Sequence, residues 1–166
     1  MTIESDALRR VPPPAWLAIA WLVGRFVGRS HRTPWSTAAS AGVIAGCGLL
    51  ALSAVAALRS HATTITPEHP ERASSLVTDG PFAFSRNPIY LAMAGILVAH
   101  AVARRSVAAL LPAAGFVALI DRVQIPAEER ALRGRFGDRF DRYHRAVPRW
   151  IGVRQAFGAR GAAKYV

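Results

Sequence analysis

The chain has 166 residues, enough for one domain, and 52% of them are hydrophobic while 19% are charged. Its net charge of +11 comes from basic residues that flank apolar runs, which favours contact with anionic membrane lipids over binding of nucleic acid. The single cysteine, Cys47, excludes a disulfide within the chain. We therefore expect an integral membrane protein that contacts membrane lipids and has no nucleic-acid partner.

Apolar runs in the sequence predict an all-α fold, an integral membrane helical bundle of about four transmembrane helices that occupies residues 1–166 as a single domain. The expected spans are residues 12–28, 36–58, 88–103 and 106–121. The first barely reaches the ~17 residues needed to cross hydrocarbon and competes with a cleaved signal peptide. The last two, separated by Arg104-Arg105-Ser106, predict a helical hairpin whose second arm bends at Pro112 and Gly115.

The distribution of basic residues predicts the orientation of these spans. With four spans, the N-terminus, the central connector and the C-terminal segment share one side, which carries all but five of the 21 basic residues. The five on the other side are Arg25, Arg29, Arg32, Arg104 and Arg105. The positive-inside rule then puts the basic side in the cytoplasm, and we expect a bacterial inner (plasma) membrane protein.

Two polar segments, residues 74–90 and 122–150, lie at the cytoplasmic ends of the predicted spans. The first is rich in turns and aromatic residues and leads into the third span, and the second follows the fourth span. Because both are expected at the same membrane surface, we predict that they close over one ligand and form an active site.

The second polar segment contains a predicted amphipathic helix on the cytoplasmic side. On a helical wheel that starts at Glu128, the apolar side chains from Leu132 to Tyr143 fall between about 40° and 120°, and Glu129 falls at about 100°, inside that stripe. A buried carboxylate needs a partner. The simplest partner from the sequence is Arg133 or Arg122.

These residues resemble the isoprenylcysteine carboxyl methyltransferase and phospholipid methyltransferase superfamily, integral membrane enzymes that transfer a methyl group from S-adenosylmethionine. The resemblance covers roughly residues 64–151. It rests on the order of four motifs, which are Leu76-Val77-Thr78-x-Gly80-Pro81-Phe82, Arg86-Asn87-Pro88-x-Tyr90, Glu128-Glu129-x-x-Leu132-x-x-x-Phe136-Gly137-x-x-Phe140-x-x-Tyr143 and Val147-Pro148-x-Trp150.

The resemblance implies an S-adenosyl-L-methionine pocket that faces the cytoplasm and is built by both polar segments. The implied cofactor contacts are Leu76, Val77, Phe82, Asn87, Pro88, Ile89, Tyr90, Glu128 and Glu129. The family favours histidine where this chain has Asn87, so no role for an imidazole base is carried over.

Three residues are predicted to be catalytic, namely Arg86, Arg122 and Glu129. An arginine can bind a carboxylate of the cofactor or of an acidic acceptor, and a glutamate can hold the ribose hydroxyls or the ammonium group of the cofactor. Arg86 and Arg122 also suit the competing role of headgroup anchors. The five histidines lack ligand spacing, so we expect no metal site.

The acceptor is predicted to be a lipophilic molecule that enters from the bilayer, between the hairpin and the second span. Methylation of a carboxylate oxygen, as in the isoprenylcysteine branch, is the first prediction, and methylation of a phospholipid amine is the alternative. Two hypotheses of other classes remain open, a non-catalytic membrane scaffold and a nicotinamide-dependent membrane reductase.

Overall fold

The structure is a computed structural model that describes residue 8, residues 11–61 and residues 74–152. All regular elements in these ranges are helical, which confirms the predicted all-α fold. The main helices are α1 (Pro13–Phe26), α2 (Pro34–Ser60), α3 (Pro88–Arg104), α4 (Leu110–Leu119), α5 (Ile125–Phe136) and α6 (Asp138–Ala146). Short 3-10 turns cover Gly80–Ala83 and Val107–Ala109, and a π-helical turn covers Ile120–Gln124.

Helix α2 has the length and composition of a membrane-spanning helix. Thr33 and Ser36 form a capping box, in which the Ser36 amide donates to Thr33 Oγ1 at 3.2 Å and the Thr33 amide donates to Ser36 Oγ at 3.0 Å. The 27 residues that follow extend for about 40 Å. Most of their apolar side chains face outward, as expected of a helix surrounded by lipid.

A second helix long enough to cross a membrane runs continuously from Val107 to Phe136. The sequence placed the end of the fourth span at residue 121, but the helix continues into the polar segment through the π-helical turn. Pro126 explains this turn, because proline offers no amide hydrogen and its ring clashes with a carbonyl one turn earlier. Helix α4 runs without interruption from Leu110 to Leu119 and contains both Pro112 and Gly115, where a bend stays a prediction.

Helices α1 and α3 are shorter than the two long helices. Helix α1 has 14 residues and α3 has 17, so α1 covers only about 21 Å. Helix α3 lies at the centre of the bundle and contacts α1, α2 and α4. A core of buried side chains, including Tyr90, Leu97 and Phe116, fills the space between α1, α3 and α4.

Helices α2 and α3 pack closely along the expected entry route of the acceptor. A methyl group built on Gly95 would lie 2.4 Å from Cys47 Sγ, so these two helices leave no room for a larger side chain there. The expected opening between the hairpin and α2 is therefore closed at this level, where small residues allow the two helix backbones to approach.

Two loops, residues 28–33 and residues 104–106, belong to the side that has fewer basic residues, and they meet at one end of the bundle. The His31 amide donates to the Arg104 carbonyl at 3.0 Å, and Arg104 Nη2 donates to the Gly28 carbonyl at 3.2 Å. Arg105 adopts a left-handed conformation (φ 51°, ψ 41°) in the tight turn between α3 and α4. Both loops therefore share a side, as the count of basic residues requires.

The C-terminal amphipathic segment forms two helices, whereas the helical wheel assumed one. The break lies at Gly137, whose φ of 49° and ψ of −127° suit glycine and strain other residues. Arg133 Nε on α5 donates to Asp141 Oδ1 on α6 at 2.7 Å and links the two helices across the break. Phe140 and Tyr143 on α6 are nevertheless buried, as the wheel predicts.

Candidate active site at the polar end of the bundle

Glu129 joins the two polar segments. One carboxylate oxygen, Oε1, lies 3.0 Å from Arg86 Nη2, and the other, Oε2, lies 2.8 Å from Arg149 Nη2. The Glu129 side chain is 12% exposed and that of Arg86 is 8% exposed, so both charges are largely removed from water. The prediction that Glu129 is buried and paired is confirmed, but its partners are Arg86 and Arg149, not Arg133 or Arg122.

Backbone contacts hold these partners in register. The Arg86 amide donates to the Pro148 carbonyl at 3.0 Å, and Asn87 Nδ2 donates to the Arg149 carbonyl at 2.9 Å. Ser85 Oγ donates to the same Arg149 carbonyl at 3.3 Å. Asn87 thus uses its amide group to fix the segment that carries Arg149.

The charges of the cluster perturb one another. Burial lowers the pKa of the Arg86 guanidinium, and the Glu129 carboxylate opposes this shift. The hydrogen bond to Glu129 raises the pKa of Arg149, against the effect of burial. Burial also lowers the pKa of His144, whose Nε2 lies 3.8 Å from Glu129 Oε2, and nearby Arg86 lowers it further. Arg86 Nε is buried and has no hydrogen-bond partner among the described residues.

Glu128 lies in a second cluster on the same helix. Its Oε1 accepts hydrogen bonds from the Tyr90 hydroxyl at 2.5 Å and from Gln124 Nε2 at 2.8 Å. Gln124 and Glu128 are one helical turn apart, and Tyr90 is buried in the first turn of α3. The adjacent residues Glu128 and Glu129 therefore reach different partners, because neighbours on a helix point about 100° apart.

The remaining predicted site residues are divided among three places. Leu76 and Phe82 pack against the buried face of α6, where the Tyr143 hydroxyl donates to the Phe82 carbonyl at 2.8 Å. Val77 and Pro88 are buried, and Ile89 is half-buried at the start of α3. Arg122 is exposed and forms no ion pair with the described residues.

Three residues of the polar clusters, Asp121, Gln124 and Arg149, were missed by the sequence reasoning. Asp121 Oδ1 accepts from Trp150 Nε1 at 2.9 Å and from Arg149 Nη1 at 3.2 Å, and Gln124 contacts Glu128. Asp121 is the first charge after the last apolar run, and Arg149 is the unspecified position of Val147-Pro148-x-Trp150. An acidic residue at the end of a span and an arginine inside a motif were the available signals.

A cavity of about 560 Å³ lies beside these clusters. It is lined by Leu76 and Thr78 on one side and by α6 residues that include Arg139, Arg142 and Arg145 on the other. Of the predicted cofactor contacts, only Leu76 lines it. Within the described ranges, no three His, Cys, Asp or Glu side chains come together to hold a metal ion.

Comparison with known proteins identifies the family. The phospholipid methyltransferase family model matches residues 35–139, more than half of the chain. This range includes Arg86, Tyr90, Glu128 and Glu129, and Arg149 lies beyond it. No match was found among the curated proteins or among the solved structures. Together with the apolar helices and the predicted motif order, the match establishes that the chain belongs to the phospholipid methyltransferase family of membrane methyltransferases.

Proposed function

We propose that the protein transfers a methyl group from S-adenosylmethionine to a lipophilic acceptor at the cytoplasmic face of the inner membrane. The observation that carries this proposal is the junction of the two polar segments at Glu129, at the ends of apolar helices. Segments far apart in the sequence thereby form one polar region next to the bilayer. The count of basic residues supports its cytoplasmic orientation.

The side chains of this region suit the methyl donor. S-adenosylmethionine supplies an electrophilic methyl group, whose bond to sulfur breaks as a bond to the acceptor oxygen or nitrogen forms. The ammonium group and ribose hydroxyls of such a molecule are complementary to Glu128, and the Tyr90 ring can stabilise a nearby sulfonium. The donor at buried Arg86 Nε, which has no described partner, suits a carboxylate.

The protein must orient the methyl donor and the acceptor and exclude water, because direct displacement needs the acceptor atom, the methyl carbon and the sulfur in line. Tyr90 and Gln124 orient Glu128 by two hydrogen bonds. Arg86 and Arg149 fix Glu129, so we assign Glu129 a positioning role in holding the segments together, with cofactor contact made mainly through Glu128. Arg122, exposed in the π-helical turn, stays a predicted contact for an acidic acceptor.

Two classes of acceptor fit the proposed reaction. Methylation of a carboxylate oxygen follows from the isoprenylcysteine branch of the resemblance. Methylation of a phospholipid amine is favoured by the description of the family that matches. Transfer of labelled methyl groups to phosphatidylethanolamine vesicles, compared with transfer to a prenylated cysteine that has a free carboxylate, separates the two.

Calorimetric titration of the detergent-purified full chain with S-adenosylmethionine tests the proposal. We expect saturable binding that Glu128→Gln and Tyr90→Phe weaken, each by about tenfold, since a hydrogen bond to a charged group contributes roughly 1.5–3 kcal/mol. Asp138→Asn, which removes an exposed carboxylate from α6, is the matched control and should bind as the wild type does. Absence of binding to the folded wild type at millimolar ligand would reject the methyltransferase assignment and favour the scaffold or the reductase.

A further inference from the structure

We propose that the cavity between Leu76, Thr78 and α6 binds the phosphate group of an anionic membrane phospholipid through Arg139, Arg142 and Arg145. This site lies outside the Glu128 and Glu129 clusters. The inference goes beyond the proposed reaction, because the bound lipid is distinct from the methyl acceptor and the site is formed whether or not methyl transfer occurs.

The arrangement of the three arginines is the first observation. They are spaced three residues apart on α6, so that successive side chains project into neighbouring positions on one helical face. All three are exposed and line the cavity. None of them forms an ion pair or a hydrogen bond with the described residues, and the nearby carboxylate of Asp141 is paired with Arg133. The cavity therefore presents positive charge that has no anionic partner among the described residues.

An exposed apolar edge close to the cavity is the second observation. Phe84 and Ile151 are 63% and 72% exposed, and the hydrogen bond from the Gly152 amide to the Phe84 carbonyl brings their segments together. The Tyr143 hydroxyl, bonded to the Phe82 carbonyl, connects this apolar edge to the cavity wall. Exposed apolar side chains next to a basic helix are typical of segments that lie in a membrane interface.

The charge and the lining decide which ligand suits the cavity. Guanidinium groups bind phosphate oxygens by charge-assisted hydrogen bonds, often two at a time. The same three charges repel a sulfonium, so the cavity is a poor site for the methyl donor. Leu76 and Ala146 offer apolar contact for the glycerol end of a lipid. A phosphate on an apolar body satisfies both parts of the lining, whereas inorganic phosphate satisfies only one.

The test is binding of short-chain phosphatidylglycerol to the detergent-purified full chain, with short-chain phosphatidylcholine and inorganic phosphate as separate ligands. The variant replaces Arg139, Arg142 and Arg145 with Gln. The control replaces Arg29, Arg32 and Arg105 with Gln, because this removes the same charge from exposed positions at the other end of the bundle. Comparison of the single variants Arg142→Gln and Arg130→Gln provides a control at the same end.

We expect saturable binding of phosphatidylglycerol that weakens roughly fivefold for each cavity arginine removed, and on the order of 100-fold for all three. The control triple variant should change it less than twofold, and phosphatidylcholine should bind more weakly than phosphatidylglycerol. Titration with S-adenosylmethionine serves as an independent readout, and the cavity variant should bind it as the wild type does. Retention of donor binding with loss of lipid binding separates this inference from the proposed reaction.

Three results would overturn the inference. The first is equal loss of phosphatidylglycerol binding in the cavity and control variants, which would mean that only the total charge matters. The second is inorganic phosphate that binds as tightly as the lipid, which would make the ligand a soluble anion. The third is loss of S-adenosylmethionine binding with unchanged lipid binding in the cavity variant, which would assign the cavity to the methyl donor.

Discussion

Replacement of Glu129 by Gln removes the negative charge between Arg86 and Arg149 while it keeps the shape of the side chain. The Arg86 guanidinium would then be left as a buried charge whose remaining hydrogen bond goes from Nη1 to the His144 carbonyl. Removal of one partner from a buried ion pair costs about 3–5 kcal/mol. Arg149 is 30% exposed and also contacts Asp121, which moderates the loss. We expect Glu129→Gln to lower the free energy of unfolding by about 3 kcal/mol.

Unfolding of the detergent-purified protein with increasing SDS fraction, followed by tryptophan fluorescence, measures this change. Asp141→Asn is the control, because it breaks the exposed ion pair with Arg133 and should have a much smaller effect. The double variant Arg86→Met, Glu129→Met should be more stable than Glu129→Gln, since it leaves no unpaired charge on Arg86. A loss below about 1 kcal/mol for Glu129→Gln, or a double variant less stable than the single, would refute the reasoning.

Three further predictions concern packing, backbone and pH. Gly95→Ala should destabilise the SDS-unfolding transition by about 1–3 kcal/mol through contact with Cys47 Sγ, and Cys47→Ala in the same chain should restore most of the loss. Gly137→Ala should lower the free energy of unfolding by about 1–3 kcal/mol, because residue 137 has a positive φ. Gly134→Ala, inside α5, should not lower it. Equal effects of the two substitutions in the same assay would contradict this account. The pKa of His144 is lowered from 6.5 by burial, so the unfolded chain takes up the proton first and stability should fall as pH drops below 6.5. His144→Gln should remove that part of the pH dependence, and an unchanged pH profile of unfolding would exclude the effect.

The sequence by itself determined the class of the fold, and it predicted that the loops at residues 28–33 and 104–106, which meet in the structure, lie at the same end of the bundle. The long apolar runs in α2 and in the helix from Val107 to Phe136 must be buried in protein or surrounded by lipid. Helical hydrogen bonds pair the backbone amides and carbonyls of these runs. The wheel also identified Glu129 as buried, because burial on a helix follows a local periodicity of 3.6 residues.

The tertiary structure alone decided what Glu129 contacts. The helical periodicity predicts that Glu129 is buried, and a buried carboxylate needs a partner. It does not predict which of the 21 basic residues contacts Glu129. The wheel offered Arg122 and Arg133, which are on or beside the same helix. The actual partners, Arg86 and Arg149, come from chain segments that α3 and α6 carry to the same place.

Two local features also required the folded chain. Gly137 and Pro126 are compatible with the break at Gly137 and with the π-helical turn at Ile120–Gln124, but the sequence analysis predicted neither feature. Phe140, which follows the break at Gly137, packs in a cluster with Leu76 and Phe82 of the first polar segment, so the position of α6 depends on a distant part of the chain. Sequence therefore determined which residues avoid water, and tertiary packing determined which of them meet, since contacts between distant segments depend on the path of the whole chain.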